Sequence, residues 1–300
     1  MTWRNLMIKD GEYLRLKLSN LEVEKLGQRF TIPLSDIATI TLEGDIMSVT
    51  TKLLAKLAEH NIAVIICNNK YIPCGIFMGF GQYHRTAKRN IEQVAWKDYR
   101  KQEIWADIIR QKIQNQIGVL QTFQAQEERL VKMKELYNDI QTGDLSNREG
   151  HAAKVYFNTL YGLKFTRDTD CFENSAMNYG YTIIRAYMAR LVTSLGLIPT
   201  LGVFHHNEFN SFNLVDDLME PFRPLMDCYI REKVSVKFKQ YLSWEARCML
   251  IDFLHQPYLY NGKKSTIDLF MLDYVNSFIK SMQDDSSHLV EVSLGGFRGV

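Results

Sequence analysis

Residues Ile72–Arg100 read IPCGIFMGFGQYHRTAKRNIEQVAWKDYR, and the period of the chain changes within them. Ile72–Met78 is a short apolar run of strand type. Gly75, Gly79 and Gly81 punctuate the passage out of it, and from Thr86 onward the pattern is helical. Upstream, Leu14, Leu16 and Leu18 interleave with Arg15 and Lys17, the period of a half-buried strand. Similar runs at Phe30–Pro33, Ile37–Leu42 and Ile62–Cys67 are separated by turn residues: Asp10-Gly11, Gly27, Glu43-Gly44 and Asn68-Asn69. One helical interruption, Thr50–His60, puts Leu53, Leu54, Leu57 and Ala58 on one face. Downstream, residues 86–140 hold no proline and one glycine, which predicts one or two long helices. Ser146-Asn147-Arg148-Glu149 predicts a capping box opening a helix that stops near Gly162. Further helices are expected from Asn174 to Gly196 and around 225–240, 243–255 and 265–282. A frayed tail is expected after Asp284-Asp285-Ser286-Ser287. The fold class that results is α+β. A small β-sandwich-like domain with one helix occupies 1–82, and a larger all-α domain, 83–300, carries the chemistry.

Bulk properties set limits on function. Hydrophobic residues at 46% and charged residues at 23% exclude wholesale disorder. A net charge of +2 argues neither for nor against a polyanionic partner, so the distribution of charge has to decide. Cys67, Cys74, Cys171, Cys228 and Cys248 form no C-x-x-C pair and read as free, mostly core thiols of a reducing compartment. No uninterrupted apolar run reaches about eighteen residues, and the N-terminus lacks the apolar stretch of a secretory leader. These features predict a cytoplasmic protein without a membrane partner.

The richest donor chemistry lies in His205–Arg223, HHNEFNSFNLVDDLMEPFR. Asp216, Asp217 and Glu220 stand three and four residues apart, which places carboxylates on one face of a helical turn. The same acids also suit an ordinary helix start, but Leu214, Val215, Leu218, Met219 and Phe222 put them next to buried surface. Of the adjacent His205 and His206 only one is expected to point inward, and His205, closing the run Leu201–Phe204, is the choice. Arg223 can neutralise or orient an acid. Glu149 has a purely structural use as the fourth residue of a capping box. Beside the small Gly150, Ala152 and Ala153 it is also placed to enter a helix–helix crevice. Carboxylates with a single imidazole suit Mg²⁺ or Mn²⁺ better than zinc, and such ions act on phosphoryl oxygens. Residues 81–115 supply positive charge: Arg85, Lys88, Arg89, Lys97, Arg100, Lys101, Arg110 and Lys112 against four acids. Tyr83, Trp96, Tyr99 and Trp105 are interleaved with them. Singly these are solvated helix residues; as a stripe they can follow a nucleic-acid backbone, with Arg85, Lys88, Arg89, Lys97, Arg100 and Lys101 as the candidate contacts.

Four segments together resemble a known family. They are Asn147-Arg148-Glu149-Gly150-His151-Ala152-Ala153 with Tyr156-Phe157, then Asn178-Tyr179-Gly180-Tyr181, then Leu201–His206, then Asn210–Asp227 with its DDLMEPFRP core. In order and separation they resemble the CRISPR-associated integrase, in its shorter type II form, over essentially the whole chain. The resemblance implies that Glu149, His205 and Glu220 bind the catalytic divalent ion, Mg²⁺ or Mn²⁺. The third acid is aspartate in many relatives and glutamate here. Asp217 matches a further acidic position near the metal, and Asp216, His206 and Arg223 match supporting positions. The implied reaction joins the 3′-hydroxyl ends of a short double-stranded prespacer DNA to the borders of a CRISPR repeat by transesterification. Nuclease activity on branched DNA is implied as well. The implied assembly is a homodimer formed through the β domain, two of which flank a dimer of a small ferredoxin-like companion.

Two other readings of the residues stand beside this one. Asp216-Asp217-x-x-Glu220 resembles the magnesium helix of all-α prenyl-diphosphate enzymes, which need a second metal motif on a facing helix; none is found, Asp284-Asp285 lying in the expected tail. An inactive DNA-binding scaffold that keeps the motifs is the other.

Overall fold

The computed structural model describes residues 4–80, 83–285 and 288–299; Gly81, Ser286 and Ser287 lie outside them. The class is α+β, with strands N-terminal and helices C-terminal. The chain divides into two compact units. One comprises residues 1–90 with 189–197, the other residues 91–188 with 198–300.

The first unit contains β1 (Arg4–Lys9), β2 (Tyr13–Lys17), β3 (Asn20–Lys25), β4 (Gln28–Pro33), β5 (Ile37–Glu43), β6 (Ser48–Val49), α1 (Thr51–Glu59), β7 (Ala63–Cys67) and β8 (Pro73–Phe77). They form two four-stranded sheets, ordered β1-β5-β7-β8 and β4-β3-β2-β6. In the first, β1, β5 and β7 run parallel and β8 antiparallel. Both sheets and α1 contribute to one core that includes Ile8, Leu14, Leu21, Val23, Ile37, Ile40, Leu53, Leu57 and Val64. The Thr50 hydroxyl opens α1 by accepting from Leu53 N at 3.3 Å, as Thr at an N-cap does.

Leu18 is a correction within this unit. It alternates with the strand residues before it, yet it sits in the β2–β3 turn with Ser19, at φ 46° and 61°, and is 88% exposed. Strands β1 and β3 were not expected. The latter has a clean signal, with Leu21 and Val23 facing the core, but it also buries Glu22, which Arg15 and Lys17 neutralise at 2.5 and 2.9 Å.

The helices are α2 (Thr86–Val94), α3 (Asp98–Thr122), α4 (Glu127–Asn138), α5 (Arg148–Tyr161), α6 (Phe172–Ser194), α7 (Asn213–Met219), α8 (Arg223–Tyr229), α9 (Trp244–Asp252), α10 (Ile267–Gln283) and α11 (Leu294–Arg298). Residues 86–140 hold three helices rather than one or two. The second break falls at Phe123–Gln126, where Gln124 takes φ 53°. The expected helix over 225–240 is α8, closed by a wide turn over Ile230–Val234. The expected helix over 243–255 is α9 and one tight turn, Phe253–His255.

A hairpin of β9 (Pro257–Tyr260) and β10 (Lys263–Thr266) comes next, where no strand was expected. Asn261 and Gly262, both at positive φ, make its two-residue turn. The frayed tail is corrected too, since Leu289, Val292 and Leu294 are buried and α11 ends in ordered backbone. Among the described residues no helix is long and apolar enough to cross a membrane, and none of the five cysteines is disulfide-bonded.

Candidate active site

The site is built around α3, whose middle turns bury polar side chains: Lys112, Asn115 and Gln116. Buried polar groups persist only where partners await them, so they mark where other elements converge. The Asn115 amide donates to Pro221 O (3.1 Å) and Val292 O (2.8 Å) and accepts from Leu294 N (2.8 Å). It ties the Glu220–Phe222 turn between α7 and α8 to the C-terminal segment.

Glu149 enters from the start of α5. The capping box is not the device that opens this helix, which begins one residue later than a Ser146 cap requires. Asn147, in the left-handed region, accepts from Gly150 N at 3.1 Å, while Asp144 accepts from Arg148 N and Glu149 N at 2.8 and 2.9 Å. Ser146 Oγ is buried without a hydrogen-bond partner. With the first-turn amides served by Asn147 and Asp144, the Glu149 carboxylate is available to Lys112 Nζ, 2.6 Å away. The same ammonium lies 2.5 Å from Glu220 Oε2, an ion pair without hydrogen-bond geometry. Arg223 Nε donates to Glu220 Oε1 at 2.9 Å.

These contacts set the charge states. Burial alone drives the Lys112 pKa down, but the Glu220 and Glu149 carboxylates outweigh it and hold the ammonium above its usual value. Burial pushes Glu220 up, and Arg223 and Lys112 together reverse this and hold it below the ordinary range.

His205 lies in the loop before α7, and Asp217 fixes it. The Asp217 carboxylate, fully buried, accepts from Val203 N (2.7 Å), Phe204 N (3.1 Å) and His205 N (3.2 Å), and pairs with His205 Nδ1 at 2.6 Å. The bond to Asp217 raises the His205 pKa above its usual value. Burial raises that of Asp217, against the bonds from His205 and the loop amides. With Nδ1 engaged, Nε2 is the ring nitrogen left for a ligand. Trp105 supports the loop from α3, stacked on Phe204 at 4.2 Å and edge-on to His205 at 5.6 Å. Gly202 is required by space. A Cβ there would stand 2.5 Å from His205 O and 2.7 Å from Asp217 Oδ2.

The other predicted residues have different surroundings. Asp216 is clamped by Arg185, with Nε at 2.7 Å and Nη2 closer still, and by Asn210 Nδ2 at 2.7 Å. His206 is exposed. The basic stripe is divided: Arg85, Lys88 and Arg89 belong to the first unit, and Lys97, Arg100 and Lys101 to the second. Within it Arg85, Lys88 and Lys97 are exposed. Arg100 is not, and a DNA contact through it is corrected: its guanidinium is buried, donating to Ser281 O at 2.7 Å and Glu103 at 3.0 Å. Lys101 pairs with Asp98 at 3.1 Å. Lys112, counted in the stripe from its charge alone, lies inside the site.

A second buried group escaped sequence reasoning. Asp227 on α8 accepts from Tyr181 OH at 2.5 Å and Tyr156 OH at 3.1 Å. Burial lifts its pKa from 3.8 to about 6. The folded protein therefore holds this proton more tightly than the unfolded chain. The stabilising contribution is full below about pH 4 and is lost as pH rises through about 6. Between pH 4 and pH 7 the stability of wild type, relative to an Asp227→Asn variant, is expected to fall by about 2 kcal/mol. Urea unfolding of both proteins across that range checks it; parallel curves would show that Asp227 does not titrate there.

Comparison with known proteins gives this geometry a context. A family model described as CRISPR associated protein Cas1 matches residues 6–250. This chain belongs to the Cas1 family. A Cas1 named CRISPR-associated endonuclease, from Neisseria meningitidis serogroup C, is 40% identical over 227 residues, 76% of this chain and 74% of that protein. Among solved structures, a casposase bound to integration product superposes with a TM-score of 0.77 at 17% identity, covering 96% of this chain and 92% of its own. The Cas6-RT-Cas1–Cas2 complex contains a chain similar at a TM-score of 0.74 and 20% identity, covering 97% of this chain and 36% of that larger one. At those identities the two structures support the Cas1 fold alone. Membership in the Cas1 family, with two N-terminal sheets, removes the prenyl-diphosphate alternative.

The donor set can be tested against a divalent ion. Among the described residues, no three His, Cys, Asp or Glu side chains stand together as an ion would need them. An ammonium stands between two of them instead. In kind the donors fit a hard cation: two carboxylates that already share one positive charge, and an imidazole oriented through Nδ1.

Proposed function

We propose that the chain is a divalent-metal-dependent DNA integrase and endonuclease of CRISPR adaptation, joining prespacer 3′-hydroxyl ends to the borders of a CRISPR repeat. The observation that carries this reading is the sharing of one cation by Glu149 and Glu220, 71 residues apart, with both carboxylates also helping to raise the pKa of His205, which a buried aspartate holds. Glu149, His205 and Glu220 would hold Mg²⁺ or Mn²⁺. Bound there, the ion supplies positive charge against the phosphoryl oxygens and favours the ionised form of the attacking hydroxyl. In the joining step the 3′-oxygen of the prespacer bonds to phosphorus as the repeat's own P–O3′ bond breaks. One oxygen loses a proton and the other gains one. The residues prepare this: Asp217 fixes the orientation of His205, and Arg223 holds Glu220 ionised. Water in place of the hydroxyl gives endonuclease activity, including cleavage of branched DNA.

The casposase bound to integration product and the Cas1–Cas2 complex support DNA and a small Cas partner as what this chain engages. Homodimers formed through the N-terminal β-rich unit, two of them flanking a ferredoxin-like companion dimer in the cytoplasm, complete the reading. One assay tests it. The protein, its companion, a labelled prespacer and a repeat-bearing plasmid are incubated with Mg²⁺ or Mn²⁺. Strand joining that disappears with Glu149→Ala and with His205→Ala is the expected result. Absence of joining by wild type, with DNA binding intact, identifies an inactive scaffold and overturns the proposal.

A further inference from the structure

We propose that Lys112 is a built-in counter-cation that makes metal binding depend on DNA; the inference rests on the metal role of Glu149 and Glu220 proposed above. Three observations carry it. The ammonium lies within 2.6 Å of both carboxylates, the oxygens an incoming ion must take. Glu220 Oε2 is buried and has no hydrogen bond, so this ion pair is its compensation. Lys112 also lines a cavity of about 170 Å³ together with Arg167, Tyr181, Arg223 and Asp227.

Two cations cannot occupy the same pair of carboxylate oxygens at close range, because like charges in a partly buried site repel strongly. Metal entry therefore requires the ammonium to withdraw. The space beside it carries two further guanidinium groups; of its two carboxylates, Glu220 is the one the metal takes, and Asp227 already accepts from the Tyr181 and Tyr156 hydroxyls. Arg223 lines it, and so does Arg167, whose guanidinium donates to the amide oxygens of Asn174 and Asn178 at 2.7 and 2.5 Å rather than to a carboxylate. A third cation settles there when an anion arrives with it, and a DNA phosphodiester is the anion this enzyme meets. Without DNA, Lys112 competes with the metal. With DNA, the displaced ammonium gains a phosphate and the metal gains the carboxylates. Each ligand then favours the other, which is a positive coupling free energy between the two binding events. Lys112 is a positioning residue in this scheme, holding the two acids together until they are needed.

The test measures Mn²⁺ affinity by calorimetry on the full-length protein, with and without a short DNA duplex. In wild type the duplex is expected to tighten Mn²⁺ binding about tenfold, a typical coupling. Lys112→Met is expected to bind Mn²⁺ about tenfold more tightly without DNA and to lose most of the DNA effect. Lys112→Arg, which keeps the charge, is expected to stay weak without DNA. Equal DNA-free affinities in wild type and Lys112→Met overturn the inference. If Lys112→Met does not fold, the wild-type pair of titrations decides alone, and no effect of DNA on Mn²⁺ affinity overturns it. Glu149→Ala and Glu220→Ala serve as references. Mn²⁺ binding that survives both changes removes the metal site and this inference together, whereas binding lost in both but insensitive to Lys112 and DNA overturns only the coupling.

Discussion

Glu220→Gln is expected to reduce strand joining more than about a hundredfold while DNA affinity measured without divalent metal stays within about threefold of wild type. The change keeps the volume of the side chain and removes its charge, so packing around the buried position is preserved. What is lost is one of the two carboxylates that share the Lys112 ammonium, and the only one that Arg223 holds ionised. DNA affinity is set mainly by phosphate contacts over an extended surface, and one buried acid contributes little to it. Joining and gel-shift measurements on the same preparation separate the two effects. Joining within tenfold of wild type would exclude Glu220 as a ligand of the catalytic ion.

The largest loss of stability is expected from Asp217→Ala, about 3–5 kcal/mol by chemical denaturation. Its carboxylate accepts from three consecutive backbone amides, Val203 to His205, and from the His205 ring. Each buried donor left without an acceptor costs about 1–3 kcal/mol, and the partly exposed His205 recovers some of this from water. Asp217→Asn retains one oxygen acceptor and is expected to lose roughly half as much. Both variants are expected to weaken joining, since the imidazole is no longer held in one orientation. A loss below about 1 kcal/mol for Asp217→Ala would show that the loop finds other acceptors.

Asp217 also shows what the sequence could and could not reveal. The acid run and its place beside apolar residues were legible, and so was the division between strand and helix near residue 80. The ranking within the run was not legible from spacing and came only from the family resemblance, because Asp216, Asp217 and Glu220 differ only in their partners. Asp216 goes to Arg185, Asp217 to the histidine loop, and Glu220 to Lys112 and Arg223. Those pairings span up to 108 residues and leave no local pattern. Lys112 was counted as surface charge for the same reason: a lysine between Gln111 and Ile113 on a polar-looking helix reads as solvated until the helix is seen at the centre of the unit. Asp227 was passed over because its partners are two tyrosines on other helices. The hairpin at Asn261-Gly262 is a different kind of miss, since its turn signal was present but was absorbed into the expectation of helices throughout.

The Asn115 amide has a temporal consequence. It holds the carbonyl next to Glu220 on one side and the backbone at Val292 and Leu294 on the other. The ribosome makes Glu149, His205 and Glu220 well before it makes Leu294. A nascent chain at that stage has every acid and the imidazole, but an Asn115 that grips only one of its two loads. The scaffold under the acids is completed only by Leu294, made 74 residues after Glu220, so the order of synthesis itself delays the finished site.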